Sequence, residues 1–299
     1  MCAGQYCELA SGTVRRSVRR SALVAAIAVT AAGCGSSSGS SPSAGPTIRR
    51  AADVTAQAPG YKVSGHVTVS VNAAQHVVVP VSITGSFDRR DRVGAVTAVA
   101  HAAGREVRIR ELISRLTLYM PATTVPNAST LIGSKRWIKL NISGAIPGGG
   151  LGSLSTATDP SQFVDYLRAV SSSTTNLGTA TIGGVRTTHY HAVVDLSRYP
   201  SLVPPAQRKA VGVSIKTLEA ALGRRTMPFD VWIDSHHLVR REKLAFAECV
   251  SGVHDSLNMT MNLYDYGPQP KPAIPPASEV YDLTPQVSAA LSHAKLGCT

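Results

Sequence analysis

From Tyr61 to Ala73 the chain alternates without a break, with Tyr61, Val63, Gly65, Val67, Val69, Val71 and Ala73 at odd positions and Lys62, Ser64, His66, Thr68, Ser70 and Asn72 between them. Successive side chains of a strand point to opposite faces, so the pattern predicts a long strand with one dry and one wet face. Val77 to Phe87 repeats it with Val77, Val79, Val81, Ile83 and Phe87, after a short turn at Ala74 to His76. Arg92 to His101 and Glu106 to Arg110 predict a third and fourth strand between turn residues at Asp88 to Asp91 and Ala102 to Gly104. Leu116 to Met120 and Lys135 to Ile142 extend the meander around an excursion over Pro121 to Gly133. Several of these strands exceed the usual length of about five or six residues, and long strands twist and coil.

The period then changes. Asp159-Pro160 is a helix start, and Phe163, Tyr166, Leu167 and Val170 recur at helical spacing, predicting about three turns packed on the sheet. Thr174 to Ile182, Gly183-Gly184 and Val185 to Leu196 predict a hairpin. A second helix is expected from Pro204-Pro205 to Leu222, with Val211, Ile215, Leu218 and Leu222 as its apolar stripe. Phe229 to Asp234, Leu238 to Phe246 and His254 to Asp265 return to strands, the last showing Leu257, Met259, Met261 and Leu263 on one face. Pro268 to Pro276 is expected to be polyproline-like, and Thr284-Pro285 starts a terminal helix. With a short helix over Thr47 to Ala58 ahead of the meander, residues 47–299 read as one α+β domain, a large antiparallel sheet crossed by a few helices.

The N-terminal stretch bears on where such a domain works. Ser21 to Cys34, SALVAAIAVTAAGC, follows Arg15, Arg16, Arg19 and Arg20, and its short apolar run ends in small residues, the pattern of a secretory signal peptide over residues 1–33. The run is shorter than the roughly 20 apolar residues that span a bilayer. Ala31-Ala32-Gly33-Cys34 resembles the lipobox of bacterial lipoproteins, whose cysteine is acylated and becomes the first residue; Ala31 stands where Leu is usual. The other outcome is ordinary secretion with Cys34 free. MCAGQYCELASGTV is unlike an n-region, which points to a true start near Val14, and the paired arginines leave both general and twin-arginine export open. Residues 34–46 are Gly, Ser, Ala and Pro after Cys34, apart from that cysteine, and read as a flexible linker reaching about 20 Å.

Of 299 residues, Lys and Arg number 30 and Asp and Glu 18, a net charge of +12. The basic and aromatic residues do not cluster as a nucleic-acid groove requires, so no nucleic acid is expected. A basic exported chain beside an anionic membrane is the simpler account, since each cation near such a surface gains about 1 kcal/mol. Cys2 and Cys7 leave with the signal and Cys34 carries lipid, which leaves Cys249 and Cys298 as a candidate disulfide pair.

The order of lipobox, Ser/Gly spacer, strand meander, Asp159-Pro160 helix, Gly183-Gly184-Val185-Arg186-Thr187-Thr188-His189-Tyr190, Pro228-Phe229-Asp230-Val231-Trp232-Ile233-Asp234 and Val239-Arg240-Arg241 resembles the LppX/LprG lipoproteins of actinobacteria. These stretches are scaffold and carry no chemistry. The resemblance implies a curved antiparallel half-barrel closed by several helices around an apolar cavity, similar to the carriers LolA and LolB. It further implies binding of acylated lipids or lipoglycans and their movement in the cell envelope. Residues expected to line that cavity are Val67, Val69, Val79, Phe163, Leu167, Val211 and Ile215. The sequence adds a physical motive, because a curled sheet with few aromatics and a dry face of Val, Ala and Ile is hard to fill with side chains alone. Ordinary packing that closes the core is the other reading.

Enzymatic readings find little. His189 and His191 lie two apart on one expected strand face with Asp195, a spacing that can offer two imidazoles to a metal, but no motif marks a third ligand and such positions usually form a wet face. His236-His237 follows Asp234 at a turn and reads as solvated loop. No His-Glu-x-x-His motif occurs, and Gly148-Gly149-Gly150 lacks the Lys-Ser/Thr of a phosphate loop. Asn127, Asn141 and Asn258 begin Asn-x-Ser/Thr triplets without meaning in a bacterial lipoprotein. The expectation is therefore a lipid-anchored, non-catalytic carrier without cofactor or metal; the alternative is an envelope lipoprotein that binds another protein and holds no lipid.

Overall fold

The alternating stretches become neighbouring strands of one sheet in the structure, a computed structural model that describes residues 44–72, 76–102, 105–115, 117–124, 130, 132–141, 161–250 and 253–292. Helix α1 (Gly45–Gln57) precedes β1 (Gly60–Asn72), β2 (His76–Asp88), β3 (Val93–Ala102), β4 (Arg105–Ser114), β5 (Thr117–Pro121) and β6 (Trp137–Asn141). After α2 (Ser161–Tyr166) come β7 (Val170–Ile182), β8 (Val185–Asp195), α3 (Tyr199–Leu202), α4 (Arg208–Leu222), β9 (Thr226–Asp234), β10 (Val239–Val250), β11 (Val253–Tyr264), β12 (Val280–Asp282) and α5 (Thr284–Ser292). The twelve strands form one sheet in the order β12-β6-β5-β4-β3-β2-β1-β11-β10-β9-β8-β7. It is curved and not closed into a barrel. Among the described residues every pairing is antiparallel except that of β12 with β6.

The meander follows the alternation closely. β1 sits at the middle, Val67 opposite Val81 of β2 on one side and Met259 of β11 on the other. The hairpin of β7 and β8 turns through Gly183 at φ 54° and Gly184 at φ 80°, where two consecutive positive φ values favour glycine. Ile48, Ala51, Ala52 and Thr55 make the buried stripe of α1, at the spacing that one helix face requires. That helix begins at Gly45 with Pro46 in its first turn, so the linker expected to run to Pro46 ends by Ala44.

Two local differences have physical causes. The expected three-turn helix around Phe163 ends its α-helical part at Tyr166, tightens to a 3-10 turn over Leu167–Ala169, and gives way to β7 at Val170. The run Val170-Ser171-Ser172-Ser173-Thr174 is poor in helix formers, which favours the extended chain there. Beyond the polyproline-like segment, Val280–Asp282 adds a strand at the sheet edge that no periodicity marks, because three residues are too few to show one. It is held by Arg136 N–H donating to Glu279 O at 3.0 Å and by Lys139 Nζ to Asp282 Oδ2 at 3.0 Å.

Candidate functional site

One face of the sheet carries the core. Along β1 the inward residues are Tyr61, Val63, Val67 and Val69; along β11 they are Leu257, Met259, Met261 and Leu263, all buried. α1, α2 with the 3-10 turn that follows it, and α4 lie against this face, through Ile48 and Ala51, Phe163 and Leu167, and Ile215 and Leu222. The residues expected to line a cavity are brought together here: Val67, Val69, Phe163, Leu167 and Ile215 are buried members of one apolar cluster, and Val79 and Val211 pack against it partly exposed. An edge-to-face chain joins the covering helices, Phe163 to Tyr166 at 6.2 Å between centroids and Tyr166 to Tyr199 at 4.9 Å. Burial pushes the Tyr199 hydroxyl up to about 12. Arg168 Nε binds Asp53 Oδ1 at 2.8 Å and so ties the turn after α2 to α1.

Aromatic side chains close one end of this apolar cluster. Tyr61 packs on Phe87 at 5.7 Å and on Tyr266 at 6.1 Å. Tyr266 donates its hydroxyl to Val239 O, and Val239 N–H donates to Thr55 Oγ1 at 3.0 Å. Burial drives the Tyr266 hydroxyl far above its ordinary range; Arg240 opposes this and Glu242 adds to it. Asp234, buried at the turn into β10, accepts N–H bonds from His236 at 2.8 Å and Leu238 at 2.9 Å and binds Arg240 Nε at 2.7 Å. A carboxylate this deeply placed is stable because each oxygen is satisfied.

Toward the opposite end the inward rows become exposed. On β2 the inward residues pass from buried Phe87, Ile83 and Val81 through half-buried Val79 to Val77, which is 47% exposed. On β4 they pass from Ile113 at 2% to Val107 at 44%. Val77 faces Val71 across the ladder, and Val107 faces Ala100, so both belong to the same inward rows. The apolar surface thus continues beyond the part that the core covers. Glu111 on β4 and Glu242 on β10 are buried carboxylates in these same rows, Glu111 opposite Val96 and Glu242 opposite Met261. Sequence reasoning passed over both; the signal was a Glu in phase with Ile109 and Ile113, and another in phase with Leu244 and Phe246.

On β8, His189 and His191 converge on Asp230 of β9 rather than on Asp195. His189 Nε2 lies 3.1 Å and His191 Nδ1 3.2 Å from the same Asp230 Oδ1, and the His189 ring stacks on Trp232 at 4.0 Å. Asp195 instead caps the following turn, accepting from Ser197 N–H at 3.1 Å. Among the described residues no group of three or more His, Cys, Asp or Glu side chains is placed to hold a metal ion. His236 lies in the β9–β10 turn, its N–H bound to Asp234, and His237 takes a left-handed φ of 61° there. Cys249 stands in β10 opposite His254. Cys298, Cys34 and the expected signal peptide over residues 1–33 lie outside the described residues.

No protein-family model matches the sequence, and no curated protein matches it. Among solved structures the chain is similar to the lipoprotein LppX of Mycobacterium tuberculosis, at 16% identity and a TM-score of 0.42 over 78% of this chain and 99% of that one. It is similar to LprF of Mycobacterium bovis, at 16% identity and a TM-score of 0.40 over 78% of this chain and 97% of the other. A LolA superfamily protein of Nitrosomonas europaea matches at 10% identity and a TM-score of 0.29, over 75% of this chain and 95% of its own. LppX and LprF are proteins of the LppX/LprG family that the sequence motifs resemble.

Proposed function

We propose that this chain is an exported lipoprotein, anchored by acylated Cys34 to the outer face of the cell membrane, that binds and carries acylated lipids or lipoglycans on the inward face of its sheet. The observation that carries the reading is the run of inward apolar residues that is sealed at Tyr61, Phe87 and Tyr266 yet continues to exposed Val77 and Val107 at the other end. An acyl chain laid along such rows gains about 25 cal/mol for each Å² of apolar surface removed from water. The head group stays at the open end, where the polar residues His76, Arg105 and Arg108 are exposed. No step of the reading calls for catalysis. Uptake of a fluorescent fatty acid tests it: the wild-type chain takes up the probe, and failure of a well-folded chain to do so favours the protein-binding alternative.

Anchoring is tested by the intact mass of the native protein. A mature form that begins at Cys34 with added acyl mass supports it, and each methylene buried in the bilayer contributes about 0.8 kcal/mol. Cys34→Ala then releases the protein from membranes. A Cys249–Cys298 disulfide would close a loop worth about 4 kcal/mol in the chain-entropy model and tie the C-terminus to β10. Peptide mapping that finds both thiols alkylated without reduction removes it.

A further inference from the structure

A groove of about 230 Å³ lies between the β7–β8 hairpin turn and strands β10, β11 and β1, lined among others by Ser64, Ile182, Val185, Arg240, Arg241 and Asn262. Its construction depends on an irregularity in β10. The pairing with β9 steps from Val239 opposite Ile233 to Arg241 opposite Trp232, which leaves Arg240 as an extra residue. Val239 and Glu242 are both buried in the core-facing row, so the bulge places two consecutive residues between them. In a regular strand Arg240 and Arg241 would point to opposite faces; here both line one groove.

Two adjacent guanidinium groups repel each other unless anions compensate them. Arg240 has its anion, Asp234 Oδ2 at 2.7 Å. Arg241 has only neutral partners among the described residues, with Nε donating to Asn262 Oδ1 at 2.7 Å and the guanidinium 5.7 Å from the Trp232 ring centre. Asn262 Nδ2 reaches Ser64 Oγ at 3.5 Å, so the polar wall is linked from β10 across β11 to β1. Ile182 and Val185 supply the apolar wall opposite. The arrangement has one cation more than its carboxylates neutralise, donors in a row, and room for a small group.

We infer that this groove is a phosphate-binding site, in which the free edge of the Arg241 guanidinium takes two oxygens of a phosphoryl group and Asn262 and Ser64 steady it. Arg240 is held by Asp234 and contributes its field. The site stands on different residues from the inward apolar rows and does not depend on lipid being bound there. The same phosphoryl chemistry arrives either as free phosphate or as a phospholipid head group.

The test titrates the full chain with inorganic phosphate and, separately, with vesicles of phosphatidylglycerol or of phosphatidylcholine, following the Trp232 indole N–H and the Asn262 side-chain amide by NMR. A saturable response to inorganic phosphate that Arg241→Gln weakens about tenfold supports the site with a free ligand. A response to phosphatidylglycerol vesicles alone, lost in Arg241→Gln, assigns it to a lipid head group. Ser64→Glu, which keeps both arginines and sets a carboxylate in the groove, abolishes binding in either case and serves where Arg241→Gln does not fold. No response to phosphate or phosphatidylglycerol, or an equal response in wild type and variant, overturns the proposal. Fatty-acid uptake is unchanged by Arg241→Gln, which separates failure here from failure of the carrier reading.

Discussion

Thr55 Oγ1 accepts the backbone N–H of Val239 at 3.0 Å, a buried hydrogen bond between residues 184 apart that fixes α1 to the start of β10. Thr55→Val keeps the shape and removes the acceptor, leaving the Val239 N–H buried and unpaired. The expected cost is about 1–3 kcal/mol, seen as a lower thermal midpoint. Thr55→Ser keeps the acceptor and costs less. Equal midpoints for wild type and Thr55→Val would show that α1 is held by packing alone.

Gly65 tests how tightly β1 and β11 approach. A Cβ there would sit 2.3 Å from Thr260 O and 2.3 Å from Met261 Sδ. The methionine can move and the carbonyl cannot without shifting the strand. Gly65→Ala is expected to destabilise the fold by about 1–3 kcal/mol, measured by denaturant unfolding.

The open end separates function from stability. Val77→Asp and Val107→Asp change residues that are 47% and 44% exposed, so unfolding free energy should move by no more than about 0.5 kcal/mol. Fatty-acid uptake should fall severalfold, because a charge would sit where the chain enters. Uptake equal to wild type would place entry elsewhere.

The C-terminal edge has a pH dependence with a definite sign. Partial burial works against ionisation of Asp282, but hydrogen bonds from Thr284 and Lys139 outweigh it and hold the carboxyl below its ordinary value of 3.8. A carboxylate whose folded pKa is lowered adds stability above its unfolded pKa, and that stability is lost as pH falls through the folded value. Hydrogen-exchange protection factors at Leu283 and Thr284, taken relative to the intrinsic rate at each pH, should therefore fall below pH 3.8 and be steady above it. Asp282→Asn should lose this dependence while keeping the cap on Thr284.

Much of the sheet was legible because β1, β2 and β11 are long enough for a period of two to stand out, and their wet faces are polar apart from Val78 and Pro80 on β2. The helix at Phe163 was misjudged at its end because Tyr166, Leu167, Ala169 and Val170 are all buried, whichever backbone carries them. β12 left no mark because its three residues depend on partners in β6. At the outer face, His189 and His191 were visible as a pair, but their partner Asp230 comes from the neighbouring strand, and register is not written in local spacing. The bulge at Arg240 was hidden for a similar reason, since two charged residues in sequence look like a turn or a wet face. The apolar rows were readable, whereas their sealed and open ends depend on Tyr266 and α1, which the chain brings from far apart.

Carriage of lipid on the inward face is tested most directly by native mass spectrometry of the Cys34→Ala chain, expressed in a lipid-rich actinobacterial host so that no covalent acyl group contributes to the mass. The account predicts a folded protein with added mass that is released on unfolding and belongs to an acyl-chain lipid, and less of it in Val67→Phe. A well-folded chain that carries no lipid and takes none up from vesicles would contradict it.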